Sequence, residues 1–162
     1  MKIGIISDTH DNLENLTKAI QVLRAEGVTK VFHCGDVCGI DVIRALRGFE
    51  VWIAQGNMDR HSGTTPAIEK IVGPERMRWL QKPTLNGYAI AMLHGDNEEM
   101  LMDLIRSEHF AYVFHGHTHR RCDQTIGRTR VINPGALGGT RRQSRSLCIL
   151  DLATGKARFI EV

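Results

Sequence analysis

Residues 2–10, Lys2-Ile3-Gly4-Ile5-Ile6-Ser7-Asp8-Thr9-His10, decide the fold of this 162-residue chain. The apolar, β-branched run up to Ser7 predicts a buried strand. Asp11 then predicts the start of a helix, because Glu14 follows three residues later as in a capping box. Gly27 ends this helix, whose apolar face has 3-4-3 spacing and consists of Leu13, Leu16, Ile20 and Leu23.

The alternation of strand and helix continues beyond this unit. Strands are predicted over residues 30–33 and 50–54, and a short helix is predicted between them over residues 40–46. Strands that alternate with helices favour parallel β-α-β units. A helix broken at Gly73-Pro74 is then predicted over residues 67–80.

The rest of the chain predicts mainly strands. Asn86-Gly87 predicts the turn of a hairpin between residues 82–85 and 88–93. Asp96 predicts the start of another helix, whose apolar face is Met100, Leu101, Leu104 and Ile105. Short strands are predicted over residues 111–114, 124–126, 130–132, 146–150 and 157–162. We therefore expect one domain over residues 1–162 of class α/β, with two sheets packed face to face and helices outside.

The composition excludes several classes of protein. No apolar run approaches the roughly 18 residues that a membrane helix requires, and the opening run is too short for a secretory signal. The four cysteines are too sparse for a disulfide framework, and only Cys34 and Cys38 lie close enough to suggest a zinc site. We therefore expect reduced thiols in a cytoplasmic protein. The net charge of +3 is too small to indicate a nucleic-acid-binding protein by itself.

Side chains that can bind a metal ion follow nearly every predicted strand, where ligand sites of α/β sheets lie. Each motif alone is ordinary turn chemistry, although the His-x-His pair has few structural uses. Residues two apart in extended chain point to the same side, so Asp8 with His10, and His117 with His119, can each close on a metal. The candidate ligands are Asp8, His10, Asp36, Asn57, His94, His117 and His119.

Seven candidate ligands are too many for one ion and predict two, with Asp36 as the shared carboxylate between metals about 3.5–4 Å apart. The donors are nitrogen and oxygen without thiolate, which favours manganese, iron, nickel or zinc over calcium, magnesium or copper(I). Manganese is our leading expectation for both divalent metal ions.

These motifs in this order resemble the calcineurin-like metallophosphoesterases, and the small bacterial and archaeal phosphodiesterases of the YfcE type in particular. The matching motifs are Asp8-x-His10, Gly35-Asp36, Gly56-Asn57-x-Asp59, His94 after a strand, Gly116-His117-x-His119 and Ile132-Asn133-Pro134-Gly135. The resemblance spans roughly residues 1–150. It implies a four-layer α/β-β/α sandwich of two mixed sheets flanked by helices.

The resemblance also implies a function, namely hydrolysis of phosphodiesters by a hydroxide that bridges two metals and attacks phosphorus in line. One metal ion would be held by Asp8, His10, Asp36 and His119, and the other by Asp36, Asn57, His94 and His117. Asp36, Asn57 and His94 would serve catalysis directly, and Asn57 would also contact the phosphate. The expected partner is a small phosphorylated substrate, and relatives often form homo-oligomers.

One position departs from the family pattern. Many relatives have histidine after the asparagine of the third motif and the YfcE group usually has cysteine, whereas this chain has Met58, which donates no proton. Met58 therefore leaves the choice between monoesters and diesters open and predicts a preference for good leaving groups. His61 is a candidate substitute, although a solvated loop histidine is the simpler interpretation.

Positive charge is concentrated in residues 120–145, where seven arginines stand against Asp123 and give a net charge of +6. Arginine forks suit phosphate oxygens, so Arg141 and Arg142 are predicted to bind an anionic substrate larger than one phosphate, such as a nucleotide. A solvated edge rich in charge explains the same residues equally well. Of the other histidines, His33 and His115 are predicted to support the site and His109 to be solvated.

Two other functions are compatible with this fold. A protein of the fold that has lost catalysis can serve as a scaffold for protein assembly, but such proteins typically lose ligand histidines, and here all seven positions are filled. A nuclease is compatible with the basic segment, but the chain shows no stripe of aromatic residues for stacking on bases. We therefore expect an enzyme, a metal-dependent phosphoric ester hydrolase.

Overall fold

The computed structural model describes residues 1–61 and 63–162, apart from the side chain of His61. The helices are α1 (Leu13–Ala25), α2 (Ile40–Ala45), α3 (Asn57–His61), α4 (Thr65–Val72) and α5 (Glu98–Arg106). The strands are β1 (Lys2–Ile6), β2 (Lys30–His33), β3 (Glu50–Ala54), β4 (Met77–Arg78), β5 (Leu80–Gln81), β6 (Thr84–Leu85), β7 (Tyr88–Leu93), β8 (Tyr112–Phe114), β9 (Arg121–Ile126), β10 (Thr129–Pro134), β11 (Ser146–Asp151) and β12 (Lys156–Glu161).

The strands form two six-stranded sheets that define a four-layer sandwich. The first sheet has the order β12-β11-β1-β2-β3-β4, in which β1, β2, β3 and β4 are parallel, β11 is antiparallel to β1, and β12 is antiparallel to β11. The second has the path β5-β7-β8-β10-β9, and β6 pairs with β7. Both sheets are therefore mixed, and the predicted fold class is confirmed.

Three apolar clusters hold the layers together. Side chains of both sheets, among them Ile5, Phe32 and Phe114, form the cluster between the sheets. Leu16 and Leu23 of α1 pack on the outer face of the first sheet, together with residues of α2 and α4. Alternating residues of β1 enter different clusters, because successive side chains of a strand point to opposite faces. The glycine in β1 fits the same packing, since a Cβ on Gly4 would lie 2.4 Å from Leu23 Cδ2.

The ends of two helices differ from the sequence-based expectation. Asn12 and Asn97, rather than Asp11 and Asp96, cap α1 and α5, because each asparagine side chain accepts a hydrogen bond from the backbone N–H three residues on. Asp11 instead takes a left-handed conformation with φ of 56°. Leu13, predicted on the apolar face of α1, is 41% exposed because it lies in the first turn, beyond the sheet.

The helix predicted over residues 67–80 ends at Val72, and its second half is wrong. Gly73 has φ of 92°, and Met77 and Leu80 enter the short edge strands β4 and β5, where they pair with Ile53 and Leu93. Pairing at an open sheet edge thus replaces helical hydrogen bonds there. Within the described residues, none of the helices is long and apolar enough to cross a membrane.

Candidate metal centre

The predicted ligands lie in loops that follow the carboxyl ends of strands in both sheets. Asp8 and His10 follow β1, Asp36 follows β2, and Asn57 begins α3 after β3. His94 follows β7, and His117 and His119 follow β8. The site therefore spans the gap between the two sheets, and each sheet contributes ligands to it.

Two buried carboxylates form the middle of this site. Asp8 Oδ1 lies 3.2 Å from His119 Nε2 and 3.9 Å from both His10 Nε2 and His94 Nε2. Asp36 Oδ2 lies 3.4 Å from His94 Nε2 and 3.6 Å from His10 Nε2. Two ligand groups result, Asp8-His10-His119 and Asp8-Asp36-His94, each with its ligand atoms within 4.8 Å of one another. The two groups share Asp8, and Asp36 lies beside a nitrogen of each predicted ligand set.

The two remaining predicted ligands lie at the margin of this cluster. The His117 ring packs edge-on against His94 with 5.1 Å between ring centroids, and its side chain is exposed. Asn57 is half-buried, and its Oδ1 is a buried atom without a hydrogen-bond partner. Of these two side chains, His117 is therefore the one more open to solvent.

Unpaired buried atoms test whether these residues fit metal ions. Buried side-chain oxygen and nitrogen atoms without a hydrogen-bond partner are few in the described part of the chain, and four of the five are Asp8 Oδ1, His10 Nε2, Asn57 Oδ1 and His94 Nε2. Leaving such an atom unpaired costs about 1–3 kcal/mol. Each of them is an oxygen or nitrogen with a lone pair for a divalent cation, so this donor set fits the metals that the sequence predicts.

Hydrogen bonds orient the histidines of this cluster. His94 Nδ1 donates to Cys34 O at 2.8 Å, and His119 Nδ1 donates to Thr140 O at 2.7 Å. With the proton on Nδ1, the Nε2 atom of each ring keeps its lone pair for a metal ion. Burial opposes protonation of His94, but the carboxylates of Asp36 and Asp8, with the hydrogen bond to Cys34, together outweigh burial and raise the pKa of His94 to about 9. The two carboxylates thus favour a positive charge beside them, which a bound cation would supply.

The backbone at the site is held in an unusual conformation. Of the nine non-glycine residues with positive φ in the described ranges, five are predicted ligands, namely Asp8, His10, Asp36, His117 and His119. Such conformations cost about 1–3 kcal/mol and persist only where surrounding contacts enforce them. Gly56 provides one such contact, because a Cβ there would lie 2.4 Å from Asp36 N. The fold therefore stores strain where the ligands converge.

Asp59 supports the site, and the sequence did not single it out as a site residue. Its carboxylate is fully buried and accepts hydrogen bonds from Gly56 N and Cys38 N, both at 2.9 Å. These contacts tie the loop after β3 to the loop after β2, and so join the loops of Asn57 and Asp36. The only signal for Asp59 was its place in the motif Gly56-Asn57-Met58-Asp59.

His33 and His115 lie beneath the ligands, as predicted for supporting residues. His33 Nδ1 accepts from Gly35 N at 3.2 Å, so its Nε2 donates to Thr9 Oγ1 at 2.7 Å. Burial lowers the pKa of both histidines to about 4. Both rings are therefore neutral in the folded protein near neutral pH.

Neutral His33 predicts a loss of stability in acid. The unfolded chain binds a proton at His33 near pH 6.5 and the folded chain only near pH 4, so stability is lost as the pH falls between these values. From pH 7 to pH 5 we expect His33 to remove about 2 kcal/mol from the free energy of unfolding. Urea unfolding in EDTA should show a fall that is smaller by this amount in His33→Gln, with exposed His109→Gln as control. An equal fall in His33→Gln and wild type would contradict a neutral His33.

Comparison with known proteins assigns the family. The model of the calcineurin-like phosphoesterase superfamily domain matches residues 1–155. The chain belongs to this superfamily. It is 32% identical to a phosphodiesterase of Methanocaldococcus jannaschii, over 100% of this chain and 98% of that one. The superfamily resemblance predicted from the motifs is thereby confirmed.

Solved structures of the superfamily superpose on the whole chain. A novel archaeal phosphodiesterase has a TM-score of 0.90 and 31% identity, with 100% of both chains covered. YfcE, a phosphoesterase from E. coli, has a TM-score of 0.69 and 17% identity, again over 100% of both chains. The first similarity extends to sequence, whereas the second shows the shared fold.

Within this superfamily member, three of the seven arginines in residues 120–145 form ion pairs, namely Arg121 with Glu161, Arg128 with Glu108 and Arg130 with Asp123. Arg145 instead donates to backbone carbonyls. Arg120, Arg141 and Arg142 are exposed, and no ion pair is found for them among residues 1–61 and 63–162. His61, the candidate substitute for a proton donor at position 58, has a side chain that lies outside the described part of the structure. His109 is exposed, as predicted.

Proposed function

We propose that this protein hydrolyses phosphodiesters with two divalent metal ions held by the seven predicted ligands. The observation that carries the proposal is the set of buried, unpaired ligand atoms around Asp8 and Asp36. The phosphodiesterase name of a relative that is 32% identical over the full chain supports the same reaction.

Bound metals would supply Lewis acidity and lower the pKa of water, so that a nucleophile forms near neutral pH. The residues of the chain hold this arrangement in place. Asp36 is assigned to both ions, with Asp8, His10 and His119 on one side and Asn57, His94 and His117 on the other. The buried, unpaired Asn57 Oδ1 supports its assignment as a ligand, and Asn57 is also proposed to contact the phosphate. We propose manganese first, with nickel, iron or zinc as alternatives.

Hydrolysis of bis-p-nitrophenyl phosphate tests this proposal. The full chain, stripped with EDTA, should show no turnover and should regain it with Mn²⁺, Ni²⁺ or Zn²⁺. Absence of metal-dependent turnover with all three ions would overturn the proposal and favour a scaffold of the same fold.

The four cysteines are free thiols, which supports the proposed cytoplasmic location.

Arg141 and Arg142 are proposed to contact a part of the substrate beyond the reacting phosphate. Both are exposed, and both follow Thr140, whose carbonyl receives the His119 hydrogen bond. Changing both arginines to alanine should raise KM about 10-fold or more for a nucleotide-containing diester. It should leave KM for bis-p-nitrophenyl phosphate nearly unchanged. Unchanged KM for both substrates would remove these arginines from the substrate site.

Met58 predicts a dependence on the leaving group. Its backbone N–H donates to Asp36 Oδ1 at 2.9 Å, and its side chain is 48% exposed beside the centre. Because a thioether donates no proton, aryl diesters should react faster than alkyl diesters by about 10²-fold, the usual value of a general acid. Met58→His should narrow this gap, and Met58→Leu is the matched control. Equal kcat for aryl and alkyl diesters in wild type would contradict the prediction.

A further inference from the structure

Residues 138–140 form a backbone strap that lies directly against two predicted metal ligands. A Cβ on Gly139 would lie 2.4 Å from His10 Cδ2 and 2.7 Å from His119 Cε1. The next residue, Thr140, accepts the hydrogen bond from His119 Nδ1 at 2.7 Å. The position of this strap therefore sets the position of both rings.

The strap is anchored on its other side to the loop of Asp8. Gly138 N donates to Asp8 O at 2.7 Å, and a Cβ on Gly138 would lie 2.0 Å from Thr9 O. This contact uses the N–H of Gly138, and the carbonyls of Gly138 and Gly139 take other partners. Carbonyls without a partner in a partly buried loop would weaken the strap.

The guanidinium of Arg145 donates hydrogen bonds to both of these carbonyls. Its Nη1 donates to Gly138 O, and its Nη2 donates to Gly139 O at 2.7 Å. The backbone of Arg145 is itself fixed to the first sheet, because Val162 N donates to Arg145 O at 3.0 Å. The side chain thus connects a rigid sheet with the strap, and its planar fork matches two acceptors at once.

We propose that Arg145 is a positioning residue, which fixes His10 and His119 for metal binding through the strap of residues 138–140. The inference rests on the proposed two-metal function and adds a residue to it. Among residues 1–61 and 63–162, the side chain of Arg145 has hydrogen bonds only to Gly138 O and Gly139 O, and none to a predicted ligand atom. It acts through Thr140, whose carbonyl holds the proton on His119 Nδ1 and directs Nε2 towards Asp8.

Titration of Mn²⁺ into the metal-free full chain tests this role. Groups that orient metal ligands are typically worth 10–100-fold in metal affinity, so Arg145→Met should weaken one of two bound ions by this factor and the other by less than about twofold. Arg145→Lys keeps one donor position and should show a smaller loss. The exposed arginine Arg128, in the turn between β9 and β10, provides the matched control, and Arg128→Met should bind both ions as wild type does.

A double-mutant cycle separates positioning from general destabilisation. In a His119→Ala background one of the two rings that the strap orients is absent, so the additional effect of Arg145→Met on metal affinity should be smaller than its effect in wild type. Additive losses, wild-type affinities in Arg145→Met, or parallel weakening of both ions would overturn the proposal. If Arg145→Met fails to fold, Arg145→Lys carries the same comparison, and wild-type affinity in that variant would overturn the proposal.

The outcome is independent of the hydrolysis assay. A wild-type chain that binds two Mn²⁺ ions but hydrolyses no diester would end the proposed function and leave the role of Arg145 intact. Metal-dependent hydrolysis by wild type, together with unchanged Mn²⁺ affinity in Arg145→Met, would support the proposed function and overturn the role of Arg145.

Discussion

Asp36→Asn should lower the turnover of bis-p-nitrophenyl phosphate by about 10³-fold or more at saturating Mn²⁺, because the carboxylate assigned to both ions is lost. The number of Mn²⁺ ions bound per chain, measured after gel filtration, should fall from two to one or none. Asparagine keeps the shape of the side chain, so the fold should be retained.

The metal-free protein provides the control for this substitution. Without a cation, the Asp36 carboxylate lies 3.4 Å from His94 Nε2 and helps to raise the pKa of this histidine to about 9 against the effect of burial, so the two groups form an ion pair. Because asparagine removes this pair, the melting temperature of Asp36→Asn in EDTA should lie modestly below that of wild type, with the fold retained. Asp41→Asn, at an exposed position in α2, should change neither property. Turnover and metal content like those of wild type in Asp36→Asn would remove Asp36 from the centre.

Gly56→Ala should disable the site through packing alone, without removing a ligand. The new methyl group would lie 2.0 Å from Asp36 Oδ1 and 2.4 Å from Asp36 N, and the second atom belongs to the backbone. Overpacking of this kind costs about 1–3 kcal/mol, so thermal unfolding should occur at a lower temperature. A displacement of Asp36 by about 1 Å should reduce kcat about 10²-fold.

Gly27→Ala is the matched control for Gly56→Ala. Gly27 follows α1 with φ of 70°, and nothing lies within 4 Å of an added Cβ. Its replacement should cost about 1 kcal/mol of stability through backbone strain, with unchanged kcat. Similar losses of kcat in both variants would show that the effect of Gly56→Ala is one of global stability rather than of contact with Asp36.

Sequence patterns predicted the layers of this fold because burial leaves a strong signal. The strands β1, β2 and β3 are continuous apolar runs, and helix α1 has a periodic face, so their existence and order follow from the residues themselves. The caps were assigned one residue too early, at Asp11 and Asp96, because aspartate and asparagine are both good caps and stand next to each other at both sites. Only the hydrogen bonds of the folded chain distinguish them.

The site was partly predictable for a similar reason. Ligand types at successive strand ends are visible in the sequence, and the structure brings Asp8, His10, Asp36, His94 and His119 together. The supporting contacts are not visible, since they depend on distant parts of the chain. In the sequence, Arg145 is one of the seven arginines of residues 120–145, and nothing there distinguishes it. Its carbonyl partners, Gly138 and Gly139, are defined only by the folded strap.

The position of β11 beside β1 has a consequence for synthesis on the ribosome. The first strand to emerge pairs on one side with β2 but on the other with residues 148–151, which are translated more than 140 residues later. Until then β1 presents an apolar edge with unpaired backbone groups, a template for pairing with other nascent chains. We expect a chain truncated before residue 146 to aggregate or to bind chaperones.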